Sequence, residues 1–340
     1  MTGDVVPALT HLRHMTDAGG LYEHAEGTRV RREHGYCVDD VARGLIVVMR
    51  EDEATPTHDD LREQYLSFVL LAQTEDGRFR NRRSADLVWT DSPTVEDCWG
   101  RALWALGTVV SRSHDPRQRA AALAAFDRAA VWTSPWPRAS AFAALGAAEV
   151  LCGEPGHEAA ERLLRNALEC IGRPSSSRTW PWPEMRLTYA NPALAEALLA
   201  AGAALDEPEV VADGLTLLRW LLDGQTRDGH LSVVPASGRG PADAALARFD
   251  QQPIEVAALA DACARAFDLT GDAHWSAAVA LCAAWFFGEN DSAAVMHDPV
   301  SGGGYDGLEQ GGRNQNQGAE STLALLSTMQ QARRLGPASP

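Results

Sequence analysis

The stretch Gly35-Tyr36-Cys37-Val38-Asp39-Asp40-Val41-Ala42-Arg43 decides the fold. It sets aromatic and acidic residues directly before an apolar stripe, Val41, Leu45 and Val48. The i, i+4, i+7 spacing of that stripe is one face of a helix. The same order returns at Val95-Glu96-Asp97-Cys98-Trp99-Gly100-Arg101 and at Ser134-Pro135-Trp136-Pro137-Arg138. It returns again at Thr188-Tyr189-Ala190-Asn191-Pro192, at Phe249-Asp250-Gln251-Gln252-Pro253-Ile254-Glu255, and at Asn314-Gln315-Asn316-Gln317-Gly318-Ala319-Glu320. Between consecutive clusters lies one further helical segment without such a cluster, as with Leu61, Tyr65, Phe68 and Ala72. This alternation predicts an all-α fold, an (α/α)6 barrel of six helical hairpins. Inner helices start at one face and present their first residues to a common funnel.

The periodicity and the turn punctuation place outer helices near 5–16, 60–73, 117–131, 157–171, 207–223 and 273–287. Inner helices fall near 37–50, 95–110, 138–151, 191–203, 252–268 and 317–333. One internal match supports repetition: Gln73-Thr74-Glu75-Asp76-Gly77-Arg78-Phe79 resembles Gln225-Thr226-Arg227-Asp228-Gly229-His230-Leu231. Both follow an outer helix, and Asp-Gly is turn chemistry because Gly accepts positive φ cheaply. Residues 232–249 and 289–316 escape the helical pattern and read as long loops. With no dividing linker, residues 1–335 are expected to form one domain, followed by a disordered tail at 336–340.

Bulk properties narrow the function. The 340 residues carry a formal charge of −16, which argues against nucleic acid and anionic membrane as partners. No apolar stretch approaches the roughly 20 residues of a membrane span. The N-terminus lacks the pattern of a secretory signal. The six cysteines are scattered and form no CxxC motif, so a cytoplasmic location is expected. No metal and no cofactor are expected. His11 and His14 sit on the first outer helix, away from the funnel. Gly302-Gly303-Gly304 lacks the Lys-Ser/Thr of a phosphate loop, and no nucleophile elbow occurs.

The chemistry is expected at the inner-helix starts. Asp39 and Asp40 open the first inner helix, but adjacent helical residues point about 100° apart, so only one aims squarely into the funnel. Arg43, one turn on, is placed to pair with Asp40 and keep it ionised, which suits a base. Glu96 and Asp97 repeat the arrangement, with Arg101 one turn beyond. Carboxylates facing across a funnel are what acid/base cleavage of a glycosidic bond needs. Trp180-Pro181-Trp182-Pro183-Glu184 offers two indoles for sugar faces and a carboxyl whose aromatic setting suits a general acid. In the preferred, inverting scheme Glu184 or Asp97 protonates the leaving oxygen and Asp40 activates water. Tyr36, Arg101, Trp136, Tyr189, Asn191, Gln251, Gln252, Asp306, Asn316 and Glu320 complete the expected sugar-binding ring, with Tyr305 beside Asp306.

Taken together these motifs resemble a bacterial family of six-hairpin, glycosidase-like proteins, often described as glycosyltransferase-related. Further carriers are Gly100-Arg101-Ala102-Leu103-Trp104-Ala105-Leu106, Tyr305-Asp306-Gly307-Leu308 and Asn316-Gln317-Gly318-Ala319-Glu320-Ser321-Thr322, and the resemblance runs from about His11 to Ser327. It implies the (α/α)6 barrel, carbohydrate metabolism and an association with glycosyltransferases. Two positions depart from the family pattern: Val41 replaces a common Asn, and Ala190 replaces a common Asp. The leading expectation is a glycoside hydrolase acting on an oligosaccharide. The alternatives are a phosphorylase or transferase, a sugar epimerase, and a non-catalytic glycan-binding domain. Epimerases favour His at inner-helix ends, where this chain carries Asp and Glu.

Overall fold

A computed structural model describes residues 9–51, 56–243 and 248–336. Twelve helices occur among them. They are α1 Thr10–His14, α2 Val38–Arg50, α3 Pro56–Ala72, α4 Asp97–Arg112, α5 Pro116–Ala129, α6 Pro137–Gly153, α7 Glu158–Ile171, α8 Asn191–Ala204, α9 Pro208–Gln225, α10 Pro253–Thr270, α11 Ala273–Phe286 and α12 Ala319–Leu335. Each even-numbered helix packs on the next, and α12 closes the ring on α2. The odd-numbered helices pack outside: α3 on α2, α5 on α4, α7 on α6, α9 on α8, α11 on α10 and α1 on α12. This is the (α/α)6 barrel that the alternation predicts. The first outer helix departs from its expected span of 5–16: residues 1–8 lie outside the described residues, and α1 stops at His14 because Thr16–Asp17 pairs with Gly20–Leu21 in a hairpin. The expected tail lies outside the described residues beyond Gly336.

Local chemistry explains where helices begin. Asp115, His157 and Asp272 accept a backbone N–H of the first turn of α5, α7 and α11, satisfying a donor that has no partner within the helix. Pro116, Pro137, Pro192, Pro208 and Pro253 stand at first-turn positions, where a missing N–H costs nothing. Inner helices are apolar nearly all round: every residue from Asn191 to Gly202 in α8 is buried. Closest approach in the ring is between α4 and α6. A Cβ on Gly107 would stand 2.1 Å from the Gly146 carbonyl oxygen, so only glycine fits.

The two ends of the barrel differ. Short links 113–115, 154–157, 205–207 and 271–272 join inner helices to the outer helices that follow. The longer segments 15–37, 73–96, 172–190, 226–252 and 287–318 all lead into inner-helix N-termini. Three of them open with a hairpin or bridge: Thr16–Leu21, Gln73 with Phe79, and Thr226–Leu231. Gly77 and Gly229 take φ of 92° and 83° in the matched Asp-Gly turns. Elaboration is thus confined to the end where the polar clusters lie. No helix among the described residues is long and apolar enough to cross a membrane.

Candidate functional site

The first turn of each inner helix delivers a polar side chain to this end: Asp39 and Asp40 on α2, Asp97 on α4, Arg138 on α6, Asn191 on α8, Glu255 on α10 and Glu320 on α12. A cleft of about 640 Å³ is lined by Asp39, Asn81, Glu96, Asp97, Trp136, Arg138, Glu184 and Tyr189, among others. Four of the five acids expected to be catalytic therefore share one cleft.

Asp39 and Asp40 divide as their 100° offset requires. Asp39 lines the cleft. Its Oδ2 accepts from Asn81 Nδ2 at 2.8 Å, while Oδ1 is buried without a hydrogen-bond partner. Asn81 Oδ1 in turn accepts from the Val38 and Asp39 backbone N–H groups, capping α2. Asp40 is buried, and Arg43 Nη1 donates to its Oδ1 at 2.5 Å. Arg43 Nη2 pairs with Glu320 at 2.7 Å, tying α2 to α12. Arg43 was expected to keep Asp40 ionised. Burial outweighs it and, helped by Glu320, Glu23 and Asp39, pushes the Asp40 carboxyl up to about 7.

Asp97 does not form the expected pair with Arg101. Its Oδ2 accepts from Tyr189 Oη at 2.8 Å. Arg101 turns instead toward Asp39, with Nε 3.6 Å from Oδ1, and lies over the Phe142 ring at 3.9 Å. Burial, then the charge of Arg43, lowers the Arg101 pKa. Glu184 departs from the aromatic acid setting expected of it. Arg138 Nη1 donates to its Oε1 at 2.6 Å, and Trp182 Nε1 to its Oε2 at 3.2 Å. Both oxygens are engaged, one by a cation.

The tryptophans are redistributed. Trp182 is buried and stacks on Trp220, and Trp180 meets the same ring edge-on at 5.2 Å. These two indoles hold the 172–190 segment against α9 rather than offering sugar platforms. Trp136 lines the cleft and is 56 % exposed. Tyr189 is also exposed, with the Arg138 guanidinium 5.0 Å from its ring centroid.

Other expected ligands are occupied in holding loops. Tyr36 is buried, stacks on Tyr22 and donates to Asp17 Oδ1 at 2.8 Å. Gln251 is buried and donates to Asp291 Oδ2 at 2.6 Å, while its Oε1 accepts from Trp285 Nε1. Asp306 Oδ1 accepts from Gly318 N at 2.7 Å and Ser321 Oγ at 2.8 Å, fixing the start of α12. Asn316 accepts from Gly27 N, and Arg313 stands 3.8 Å from the Tyr305 ring centroid. Gln252 is the residue before α10. Asn191 is buried: its Oδ1 accepts from Arg138 Nη2 and Thr188 N, and its Nδ2 donates to Glu255 Oε2 at 3.1 Å.

Arg138, Glu255 and Asn81 escaped the sequence reading. Arg138 and Glu255 were legible as first-turn residues of inner helices, whereas Asn81 sits in a loop with no local signal. Burial pushes Glu255 up to about 7, against the donors Ala190 N and Asn191. Glu23, Cys37 and Asp40 bring potential metal-ligand atoms within 4.8 Å of one another. Arg82 and Arg43 already pair with the two carboxylates.

No family model matches the sequence, and no curated protein does. Solved structures do match. A sugar epimerase from a ruminal bacterium aligns with a TM-score of 0.73 at 13 % identity, covering 98 % of this chain and 96 % of that one. A D-mannose isomerase aligns at 0.71 and 11 % identity, covering 97 % and 96 %. An inactive variant of an α-1,6-mannanase from Salegentibacter sp., in complex with α-1,6-mannotetrose, aligns at 0.66 and 11 % identity, covering 98 % of both. At these identities the likeness establishes a shared fold across essentially the whole chain.

Proposed function

We propose that this protein is a carbohydrate-active enzyme that cleaves a glycosidic bond in the cleft, with Asp97 and Asp39 as its carboxylate pair. The observation that carries this reading is their placement in one cleft with the exposed Trp136. Asp97 gives its proton to the leaving oxygen as the C–O bond breaks. Water attacks the anomeric carbon from the other face and passes a proton to Asp39, which inverts the centre. Asp39 takes the part expected of Asp40 because it lines the cleft, whereas Asp40 is buried on Arg43. Trp136 offers an apolar face to a sugar ring. An acid-rich cleft also favours the positive charge that develops in an oxocarbenium-like transition state. The fold's occurrence in sugar enzymes supports the class. In the mannanase variant two consecutive aspartates are replaced by alanine; this chain has the consecutive pair Asp39-Asp40 at the start of an inner helix.

The test is product release from an oligosaccharide panel, with and without phosphate, beside Asp97→Asn and Asp39→Asn. Loss of about 10²–10⁴-fold in each folded variant is expected. Full activity in both variants refutes the assignment. Product formed only with phosphate identifies a phosphorylase instead.

Interconversion of free sugars is the second reading, favoured by the epimerase and isomerase among the structural neighbours. Against it, the first turns of all six inner helices contain no histidine. Release of a new reducing end separates cleavage from interconversion.

A further inference from the structure

The segments that lead into the inner helices wall the cleft unequally. Asn81, Asp91 and Thr94 line it from 73–96, and Glu184 and Tyr189 from 172–190. Between those two, in ring order, the link into α6 covers only 130–136 and is the shortest of its kind. Packed helix axes stand about 8–10 Å apart, so a link this short spends much of its length crossing from α5 to α6 and has little left to rise above the helix ends. It is also held down: Ser140 Oγ donates to the Ser134 carbonyl at 2.9 Å, and the Trp136 N–H to Ser134 Oγ at 3.2 Å. The cleft is therefore low-walled where it faces outward across this link.

This low side is apolar. Val131 is 69 % exposed and Trp132 37 %, on the same link as the exposed Trp136 of the cleft wall. Exposed apolar residues scattered singly need no account, but three large ones on one short link point to an interaction surface. Trp132 is held in place. Its Nε1 donates to the Asp76 carbonyl at 2.6 Å, and the Arg78 guanidinium stands over its ring, 5.5 Å from the centroid. Arg78 Nη1 reaches the Pro93 carbonyl at 3.5 Å, between the cleft residues Ser92 and Thr94. With its N–H satisfied inside the protein, what Trp132 shows to solvent is a fixed apolar ring surface. The four-residue step from Trp132 to Trp136 spans at most about 14 Å.

We propose that the cleft is open over the 130–136 link, and that Trp132 is a distal subsite for a further ring of a linear glycan whose nearer ring lies on Trp136. The proposal rests on the glycan-cleaving reading of the cleft and names its substrate class: a chain that runs out over the side, not a short sugar held by its end. Sugar rings suit this surface because their C–H faces pack on an indole while their hydroxyls stay in water. Continuity with Trp136 favours that occupant over a protein.

The experiment runs linear cello-, chito- and α-1,6-manno-oligosaccharides as length series, from disaccharide to hexasaccharide. It reads kcat/KM, or Kd where a series binds without cleavage. Longer members are expected to gain over the shortest one used. Trp132→Ala should remove about three- to tenfold of that gain and leave the shortest member unchanged. Hexasaccharides carrying a bulky fluorophore on the first or the last ring give a test that needs no variant, since an open cleft should take at least one of them. A loss that is alike at every length would make Trp132 a strut for the 73–96 segment and overturn the subsite. So would a gain that survives the substitution, absence of any gain with length, or refusal of both blocked chains. A concentration-dependent dimer dissolved by Val131→Ser and by Trp132→Ala would give the surface to a second copy instead. All of these leave the cleft reading standing. Failure of every series to bind or react overturns the cleft reading and the subsite with it.

Discussion

Tyr189 Oη donates a 2.8 Å hydrogen bond to Asp97 Oδ2 across 92 residues of sequence. One partner opens α4 and the other ends the segment leading into α8, so the bond spans the cleft. It engages one oxygen of the carboxylate that the proposed chemistry needs and fixes its direction. Tyr189→Phe keeps the ring and removes only that bond. A hydrogen bond to the neutral acid is worth about 0.5–1.5 kcal/mol. The expected outcome is a loss of about two- to tenfold in kcat with KM nearly unchanged, the signature of a positioning residue. A change confined to KM would show that Tyr189 contacts substrate instead.

Trp136 and Trp182 should separate cleanly. Trp136 is 56 % exposed, so Trp136→Ala should leave Tm within a degree or two while raising KM by about three- to tenfold, the worth of an aromatic stack. Trp182 is 1 % exposed and stacked on Trp220. Trp182→Ala should cost about 3–5 kcal/mol of stability by opening a cavity. Thermal melts and steady-state kinetics on the two variants check both halves. A stable Trp182→Ala with weakened substrate binding would restore that residue to the sugar site.

This contrast shows where the sequence is legible. Helical spacing and turn residues locate the helices of the described residues because both are local, with the first outer helix shorter than its expected span, and the barrel follows from their alternation. Whether a Trp-x-Trp pair in a loop faces solvent or core depends on Trp220, on α9, and no local pattern reports that. The same holds for Asp40. Its position in the first turn of α2 was readable, but its burial against Arg43 and Glu320 depends on α12 closing the ring. Arg138 and Glu255 were readable by position, since each inner helix brings a polar first turn to the same end.

Asp40 should also set a pH dependence of stability. Its folded pKa is raised to about 7, above the ordinary value near 4. Between those values the folded chain holds a proton that the unfolded chain releases, so this contribution to stability falls as pH rises through the window. Asp40→Asn cannot ionise. The Tm difference between variant and wild type should therefore shift in favour of the variant from about pH 4 to about pH 7 and level off above it. Melts at half-unit steps of pH test this. A difference that stays flat across the window would show that Asp40 remains ionised in the folded chain.

Ala190 joins the departure from the family pattern to the energetics of the barrel. It occupies the left-handed region, φ 44° and ψ 37°, immediately before α8, and its N–H is bonded to Glu255 Oε1. A side chain there costs about 1 kcal/mol that glycine avoids. Ala190→Gly should therefore raise Tm by a degree or two. Ala190→Asp would restore the acid common in the resembled family, in a conformation that Asp tolerates better than most residues. It would also set a second carboxyl beside the buried Glu255, and like charges at that distance destabilise each other. Because Asp39 and Asp97 supply the proposed carboxylate pair, Ala190→Asp should lower Tm and leave turnover no higher than in the wild type. A rise of tenfold or more in turnover would reverse the argument. The carboxylate absent at Ala190 would then be the catalytic one, and the native chain an impaired or re-purposed member of its fold.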